Sequence, residues 1–500
     1  MDYKKLQNGS DIRGVALEGI EGQHVNLTKE ACSDIGRGFA LWLVKKLNKT
    51  NIRVAIGRDS RLSGATLTDY ITSALVKEGV LVTDFGMAST PAMFMSTITP
   101  GYEFDGSIMV TASHLPFNRN GFKFFTKNGG LESKDIKEII AFAESDETTS
   151  LPCGKLEKGE FMDTYAGLLV DKIRSATGEE LPLNNFKIVV DAGNGAGGFF
   201  VSKVLEPLGA ITKGSKFLEP DGSFPNHIPN PENKEAMESI ISAVKENNAD
   251  LGIIFDTDVD RAGAVLSDGS ELNRNRIIAM LSAILLREHK GTTIVTDSIT
   301  STGLKEFIES KGGVHHRFKR GYRNVINESI RLNKEGKDSQ LAIETSGHGA
   351  LKENYFLDDG AYLVTVLLIE LARGKKMGYT LESLIEDLKE PKESVEFRMN
   401  ITLEDFKAYG QSVLDKLFDY AKQKAGWKLE EENYEGVRVN LTDSDKNGWF
   451  LLRLSLHDPL LPLNIESNVV GGAKQIAKEI NEFIKDFENL DSKTLSDFVK

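Results

Sequence analysis

Asp256, Asp258 and Asp260 occupy alternate positions directly after the apolar run from Leu251 to Phe255, and Arg261 comes next. Carboxylates this close repel one another unless a cation sits among them, and hard oxygen donors suit Mg²⁺ or Ca²⁺. An EF-hand does not fit: its sixth position would be Arg261 rather than glycine and its twelfth Ser267 rather than glutamate. With three protein ligands, Mg²⁺ would keep room for a phosphate oxygen. The alternative is a solvated turn carrying three aspartates. A second stretch, "MVTASHLPFNRNGFKFF" over 109–125, brings Ser113 and His114 to the end of an apolar, strand-like run. Strand ends in open α/β sheets are where ligands bind, which makes Ser113 a candidate nucleophile. The turn-forming Asn118-Arg119-Asn120-Gly121 is expected to reverse the chain and return Lys123 beside it. A third pattern, Gly193-x-Gly195-x-x-Gly198 with Glu219 and Asp221 further on, matches the dinucleotide fingerprint. A tight turn feeding a helix explains those glycines as well.

Apolar strand-like runs alternate with amphipathic helical runs through most of the chain, which argues for α/β layers. Strands are expected near 53–56, 80–85, 106–111, 186–191, 251–255, 292–296 and 340–343. Helices are expected near 27–46, 65–77, 133–144, 234–247 and 359–373. "SDETTSLPCGKLEKG" reads as a linker, and strands near 436–441 and 448–454 with helices at either end suggest a final α+β domain. Three strand-to-polar-loop stretches, "VAIGRDSR", "IVVDAGNG" with "IIFDTDVD", and "IVTDSITS", hint at three related domains before it. Five hundred residues, at roughly 100–200 per domain, allow about three to four domains.

The net charge of −13, with no basic run, argues against nucleic acid and anionic membranes as partners. Two cysteines, Cys32 and Cys153, make no disulfide framework or metal cluster and point to a reducing cytoplasm. The polar N-terminus does not read as a signal peptide, and no apolar stretch reaches the ~20 residues that span a bilayer.

The serine and aspartate loops together resemble those of the α-D-phosphohexomutases. The family's T-A-S-H-N-P-x-x-x-N-G-x-K appears as Thr111-Ala112-Ser113-His114-Leu115-Pro116 with Asn120-Gly121-Phe122-Lys123. Its D-G-D-x-D-R appears as Asp256, Asp258, Asp260 and Arg261. "SDIRG" with Arg13 and Gly57-x-Asp59-x-Arg61 match two early elements. Glu344-Thr345-Ser346-Gly347-His348 matches the sugar loop, with Asp359-Gly360 downstream, and Arg453-Leu454-Ser455-Leu456-His457-Asp458-Pro459 the distal phosphate loop. These motifs run in the family's order over nearly the whole chain.

The resemblance implies three related mixed α/β/α sandwich domains (1–155 with the phosphoserine, 156–268 with the metal, 269–385 for sugar recognition) and a C-terminal α+β domain (386–500) for phosphate, around a central cleft. It implies one Mg²⁺ per chain on Asp256, Asp258, Asp260 and phosphorylated Ser113. It also implies hexose 1,6-bisphosphate as activator or product, phosphorylated hexoses as substrates, and a monomer or dimer. Lys123 would be a point charge or proton-transfer partner, otherwise a solvated hairpin lysine. His114 would be an acid or base, otherwise a loop hydrogen-bonder. Arg13 and Arg261 would hold phosphate oxygens, or serve as ordinary ion-pair partners. Glu344, Ser346 and His348 would bind sugar hydroxyls, Arg453 and Ser455 the far phosphate.

Departures stand at Leu115, Thr257, Leu456-His457-Asp458 and Pro462. Tyr322-Arg323 also replace a glycine-linked histidine common in phosphomannomutases, which makes Arg323 a substrate-binding candidate. A lost charge-assisted contact at the distal loop is worth roughly 1.5–3 kcal/mol, and protonated His457 would compensate. The expected activity is interconversion of hexose 6- and 1-phosphates through phosphoserine. A phosphotransferase that releases the bisphosphate and a non-catalytic phosphosugar binder are the alternatives.

Overall fold

Gly106–Val110 is buried at every position, as a strand covered on both faces must be. It lies within an eight-stranded sheet ordered Gln7–Asn8, Asp11–Val15, Arg119–Thr126, Gly106–Val110, Arg53–Arg58, Leu81–Met87 and Lys155–Lys158, with Gly129–Gly130 paired to Arg119–Thr126. Arg53–Arg58 runs parallel to both Gly106–Val110 and Leu81–Met87, whereas Arg119–Thr126 returns antiparallel. Helices Lys29–Leu47, Gly64–Lys77 and Ser133–Ala143 share one core with this sheet through Phe39, Ile71, Ile139, Ile108 and Phe124. Thr28 caps the first helix by accepting from Ala31 N, and Asn48 ends it in the left-handed conformation, the usual start and stop chemistry. The computed structural model describes residues 2–152, 154–455 and 458–500.

Two expectations fail here. The chain reverses over 111–118, and Asn120-Gly121 lies inside the strand Arg119–Thr126 rather than in a turn. Asn120 Nδ2 donates to Ser63 Oγ at 2.8 Å, and a Cβ on Gly121 would sit 2.1 Å from the Ile12 carbonyl oxygen. The glycine therefore serves close strand approach, not left-handed geometry. The expected linker also contributes structure: Lys155–Lys158 joins the sheet parallel to Leu81–Asp84.

A four-stranded sheet follows, ordered Glu271–Leu272, Ala262–Leu266, Leu251–Phe255 and Ile188–Asp191. Its last two strands are parallel, and Ala262–Leu266 returns antiparallel on Leu251–Phe255. Residues 256–261 are thus the connection of a hairpin. Asn233 caps the helix Lys234–Asn247, which packs Ile240 and Val244 against Val189 and Ile254.

The backbone separates into two units. One holds these two sheets together with Ser346–Ser383, a hairpin of Gly349–Leu351 with Leu357–Asp358 and the helix Gly360–Met377. The other comprises Arg274–Thr345 and Leu384–Lys500. It contains parallel strands Val314–Arg317, Thr293–Thr296 and Ser339–Ile343 with helices Arg274–Glu288, Thr302–Ser310 and Tyr322–Lys334. It also contains a six-stranded antiparallel sheet ordered Trp427–Leu429, Val437–Leu441, Gly448–Leu452, Leu460–Ser467, Glu393–Ile401 and Leu490–Asp491, packed on Phe406–Gln423 and Gly472–Ile484. Three α/β sheets and a β-rich C-terminal region are therefore present. Among the described residues, no helix is long and apolar enough to cross a membrane.

Candidate functional site

The strand Gly106–Val110 delivers a loop in which Ser113 adopts φ +51°. A residue with a Cβ enters that region at a cost of roughly 1–2 kcal/mol, so the surroundings must hold it there. Ser113 N donates to Thr111 Oγ1 at 2.8 Å. The side chain then faces inward: Oγ donates to Asp256 Oδ2 at 3.0 Å and accepts from Arg261 Nη2 at 2.6 Å.

The hairpin connection after Leu251–Phe255 is strained too, since β-branched Val259 has φ +66°. Asp256 accepts from Arg261 N and Nε, both at 3.2 Å. Asp258 Oδ2 accepts from Lys123 Nζ at 3.1 Å and from Thr90 Oγ1, while Thr90 N donates to the Asp258 carbonyl at 2.8 Å. Lys123 Nζ also donates to Asp260 Oδ2. Asp258 Oδ1 and Asp260 Oδ1 are buried with no hydrogen-bond partner, a costly condition for carboxylate oxygens. Ligand atoms of Asp256, Asp258 and Asp260 all lie within 4.8 Å of one another. Convergent hard donors with orphaned oxygens fit a divalent cation.

Electrostatics supports that fit. Burial, then Asp260 and Asp258, push the Asp256 carboxyl well above its ordinary range. Burial presses Asp260 the same way, but Lys123, His348 and Arg261 outweigh it and hold that group low. Burial opposes the charge on Lys123, yet Asp258, Asp260 and Asp11 keep it well above the usual lysine value. Lys123 is thus a fixed ammonium reaching the carboxylates from mid-strand, not a solvated hairpin side chain.

His114 is exposed overall, but its Nδ1 edge accepts from Arg261 Nη2 and lies 3.3 Å from Ser113 Oγ. Desolvation of that edge, then Arg261, lower its pKa far below the usual histidine value. Arg13 stands one step back, donating to the Thr111 carbonyl at 3.1 Å and to Asp11 at 2.8 Å. His348 Nδ1 lies 2.6 Å from Asp358 Oδ2, and its backbone bridges antiparallel to Arg261. Burial lowers its pKa, but Asp358 and Asp260 prevail and raise it to about 9. Ser346 Oγ, two residues earlier, is buried without a hydrogen-bond partner.

Thr90, Asp358 and Arg61, whose guanidinium donates to the Pro116 and Arg119 carbonyls of the serine loop, were not assigned roles from sequence. Only Arg61 carried a motif, and neither Thr90 nor Asp358 has a spacing that marks it. The glycine fingerprint also finds a different use. Ala196 N donates to the Thr257 carbonyl at 2.8 Å, and a Cβ on Gly195 would sit 2.7 Å from that oxygen. One on Gly198 would sit 2.2 Å from the Leu218 carbonyl. Protein backbone fills the approach that a pyrophosphate would need, and the turn buttresses the aspartate loop.

The remaining candidates belong to the other unit. Glu344 Oε1 accepts from Gly321 N at 2.6 Å, just before Arg323 in the first turn of Tyr322–Lys334. Thr345 Oγ1 donates to Asp297 at 2.7 Å. Arg453 is buried with its N–H on the Pro462 carbonyl at 3.1 Å. Ser455 N donates to the Leu460 carbonyl at 3.0 Å. His457 lies outside the described residues. A residue without a sequence-assigned role, Arg320, joins this group: its N–H bonds Glu435 at 3.2 Å and its Nε lies 3.5 Å from Asp297.

Three family models match in chain order: phosphoglucomutase/phosphomannomutase alpha/beta/alpha domain I over residues 4–150, domain II over 163–269 and domain III over 273–390. A phosphomannomutase/phosphoglucomutase of Pseudomonas putida is 31% identical over 92% of this chain and 92% of its own. A phosphoglucomutase of Neisseria gonorrhoeae is 31% identical over 94% and 95%. A crystal structure of a phosphoglucomutase/phosphomannomutase family protein from Burkholderia thailandensis superposes with a TM-score of 0.80 at 27% identity, covering 98% of this chain and 100% of that one. Likeness of this extent, joined to the serine and aspartate loops meeting in space, shows that the chain belongs to the α-D-phosphohexomutase family.

Proposed function

We propose that the chain interconverts hexose 6-phosphates and hexose 1-phosphates, with Ser113 taking and returning the phosphoryl group. One observation carries this reading: Ser113 Oγ lies 3.0 Å from Asp256 and 2.6 Å from Arg261, beside three converging carboxylates. In the first half-reaction a sugar hydroxyl oxygen bonds to the phosphorus as the Ser113 Oγ–P bond breaks, giving the hexose 1,6-bisphosphate. In the second, Ser113 Oγ bonds to the other phosphorus as the bond from that phosphorus to its own sugar oxygen breaks, and in each half the proton of the attacking hydroxyl passes in net to the oxygen that leaves. Each half is a balanced transfer in which the protein supplies position and charge rather than new covalent chemistry.

Asp256, Asp258 and Asp260 would hold one Mg²⁺ and leave room on it for a phosphoserine oxygen. Mg²⁺ bound there supplies the positive charge that draws electron density from the phosphoryl oxygens. Arg261 fixes Ser113 Oγ and the His114 ring, and Lys123 bridges Asp258 and Asp260 as a fixed positive charge. Glu344, Ser346 and His348 supply the residue types for sugar hydroxyls, with Arg323 a further substrate-binding candidate in the same domain, and Arg453 and Ser455 those for the far phosphate. Phosphorylated hexoses are the substrates, and the division at 1–155, 156–268, 269–385 and 386–500 assigns one such group to each domain. The relatives carry mutase names, which favours neither a bisphosphate-releasing transferase nor a binding-only protein.

Intact mass of the purified protein is expected to show one phosphoryl group, mapped to Ser113. Ser113→Ala is expected to reduce mutase turnover with hexose 1-phosphate to background. Full turnover by that variant would refute the proposal.

A further inference from the structure

The serine loop has a clamp outside the metal site. Arg61 is buried to 2% exposure, and both of its terminal nitrogens are spent on one loop. Nη1 donates to the carbonyls of Pro116 at 2.9 Å and Arg119 at 3.0 Å, and Nη2 to those of Leu115 at 2.6 Å and Ser113. Four carbonyls between 113 and 119 thus converge on one planar group. That pattern suits the rigid fork of a guanidinium and not the point charge of an ammonium. Asp59, buried to 1%, backs the guanidinium at 3.5 Å and accepts from Arg61 N at 3.0 Å.

The loop so held is the one in which Ser113 takes φ +51°. A serine does not stay there unaided, and one of the four carbonyls bonded by Arg61 is that of Ser113 itself. Rotation out of this region would swing the Cα–Cβ bond, and with it Oγ, away from Asp256. The clamp is covered from the following region: the Phe224 ring centre lies 5.3 Å from Arg61 Cζ, and a Cβ on Gly222 would meet Ser60 O and Leu62 N at 2.4 Å.

We propose that Arg61 is the positioning residue for the nucleophile: its guanidinium template holds Ser113 left-handed and Oγ aimed at the carboxylates. This rests on Ser113 being the phosphoryl carrier. It adds that the carrier's competence is set by a group that touches neither metal nor substrate.

The test follows single-turnover phosphorylation of dephosphorylated protein by glucose 1,6-bisphosphate with Mg²⁺, read by intact mass, in wild type, Arg61→Lys, Arg61→Ala and Ser113→Ala. A misplacement near 1 Å costs about 100-fold in rate. Both Arg61 variants are expected to lose about that much while Mn²⁺ affinity, read by electron paramagnetic resonance, stays near wild type. Millimolar guanidinium is expected to restore Arg61→Ala at least partly, where equal sodium chloride does not. Should Arg61→Ala fail to fold, Arg61→Lys decides, since it keeps the charge and loses only the fork. A wild-type rate in Arg61→Lys, or no rescue of folded Arg61→Ala, would overturn the inference. Phosphorylation of Ser113→Ala would instead overturn the carrier assignment on which it stands.

Discussion

Lys123 shows how a single side chain stands between folding and chemistry. It is 4% exposed, in mid-strand, and its ammonium contacts two carboxylates that are themselves wholly or almost wholly buried. Removing one partner of such a group leaves uncompensated buried charge, typically about 3–5 kcal/mol. Lys123→Met is expected to lower unfolding free energy by about that amount when denaturant titrations are run in EDTA. A bound divalent cation would neutralise the same carboxylates, so the deficit is expected to shrink in saturating Mg²⁺. An equal deficit in both conditions would mean that lysine and metal do not share these ligands. The three aspartates reveal this centre in the sequence because alternation after an apolar run has few other uses. Thr90 does not, since it reaches Asp258 from 168 residues away and nothing in "STPAM" distinguishes it from any helix start.

At the scale of elements, most strands and helices were legible from apolar periodicity, and the errors have physical causes. Asn120-Gly121 has turn chemistry, but tertiary pairing overrides it: Gly121 faces Arg13 across an antiparallel pair, where only a bare Cα fits. Lys155–Lys158 is exposed at all four positions, so an edge strand with no buried face left no hydrophobic period to read. The glycine turn at 193–198 fits a cofactor fingerprint and a plain tight turn alike, because close backbone approach demands glycine whatever the approaching group is. Its true neighbour gives a prediction. Gly195→Ala puts a methyl 2.7 Å from Thr257 O, pushing the loop between Asp256 and Asp258. If the carboxylates move by about 1 Å, kcat is expected to fall by about 100-fold, with weaker Mg²⁺ binding by calorimetry. Unchanged kcat and Mg²⁺ affinity would show that the turn does not set the loop.

At the scale of the whole molecule, the carboxylates placed to hold a metal ion all belong to one of the two units. A ligand that binds only the folded state stabilises it by about 2.7 kcal/mol at a hundred times its Kd. Mg²⁺ is therefore expected to slow amide exchange across Leu251–Phe255, Ala262–Leu266 and Arg119–Thr126. The antiparallel strands Val437–Leu441 and Gly448–Leu452 should be unaffected, as read by mass spectrometry of peptic fragments. Uniform slowing everywhere would contradict a metal seated on 256–260. The unit that holds these ligands is interrupted: it pauses at Asn273 and resumes from Ser346 to Ser383. Gly360, whose N–H bonds Val259 O at 3.2 Å, arrives only in that second visit, with a helix whose Leu363, Val364, Leu367 and Leu368 are fully buried. A ribosome that has translated as far as Thr345 has thus made every aspartate of the metal loop and not yet the segment that seats it. During synthesis the apolar surface awaiting that helix stays uncovered for about a hundred codons after Asp260 is made, an interval in which a nascent-chain chaperone has something to hold.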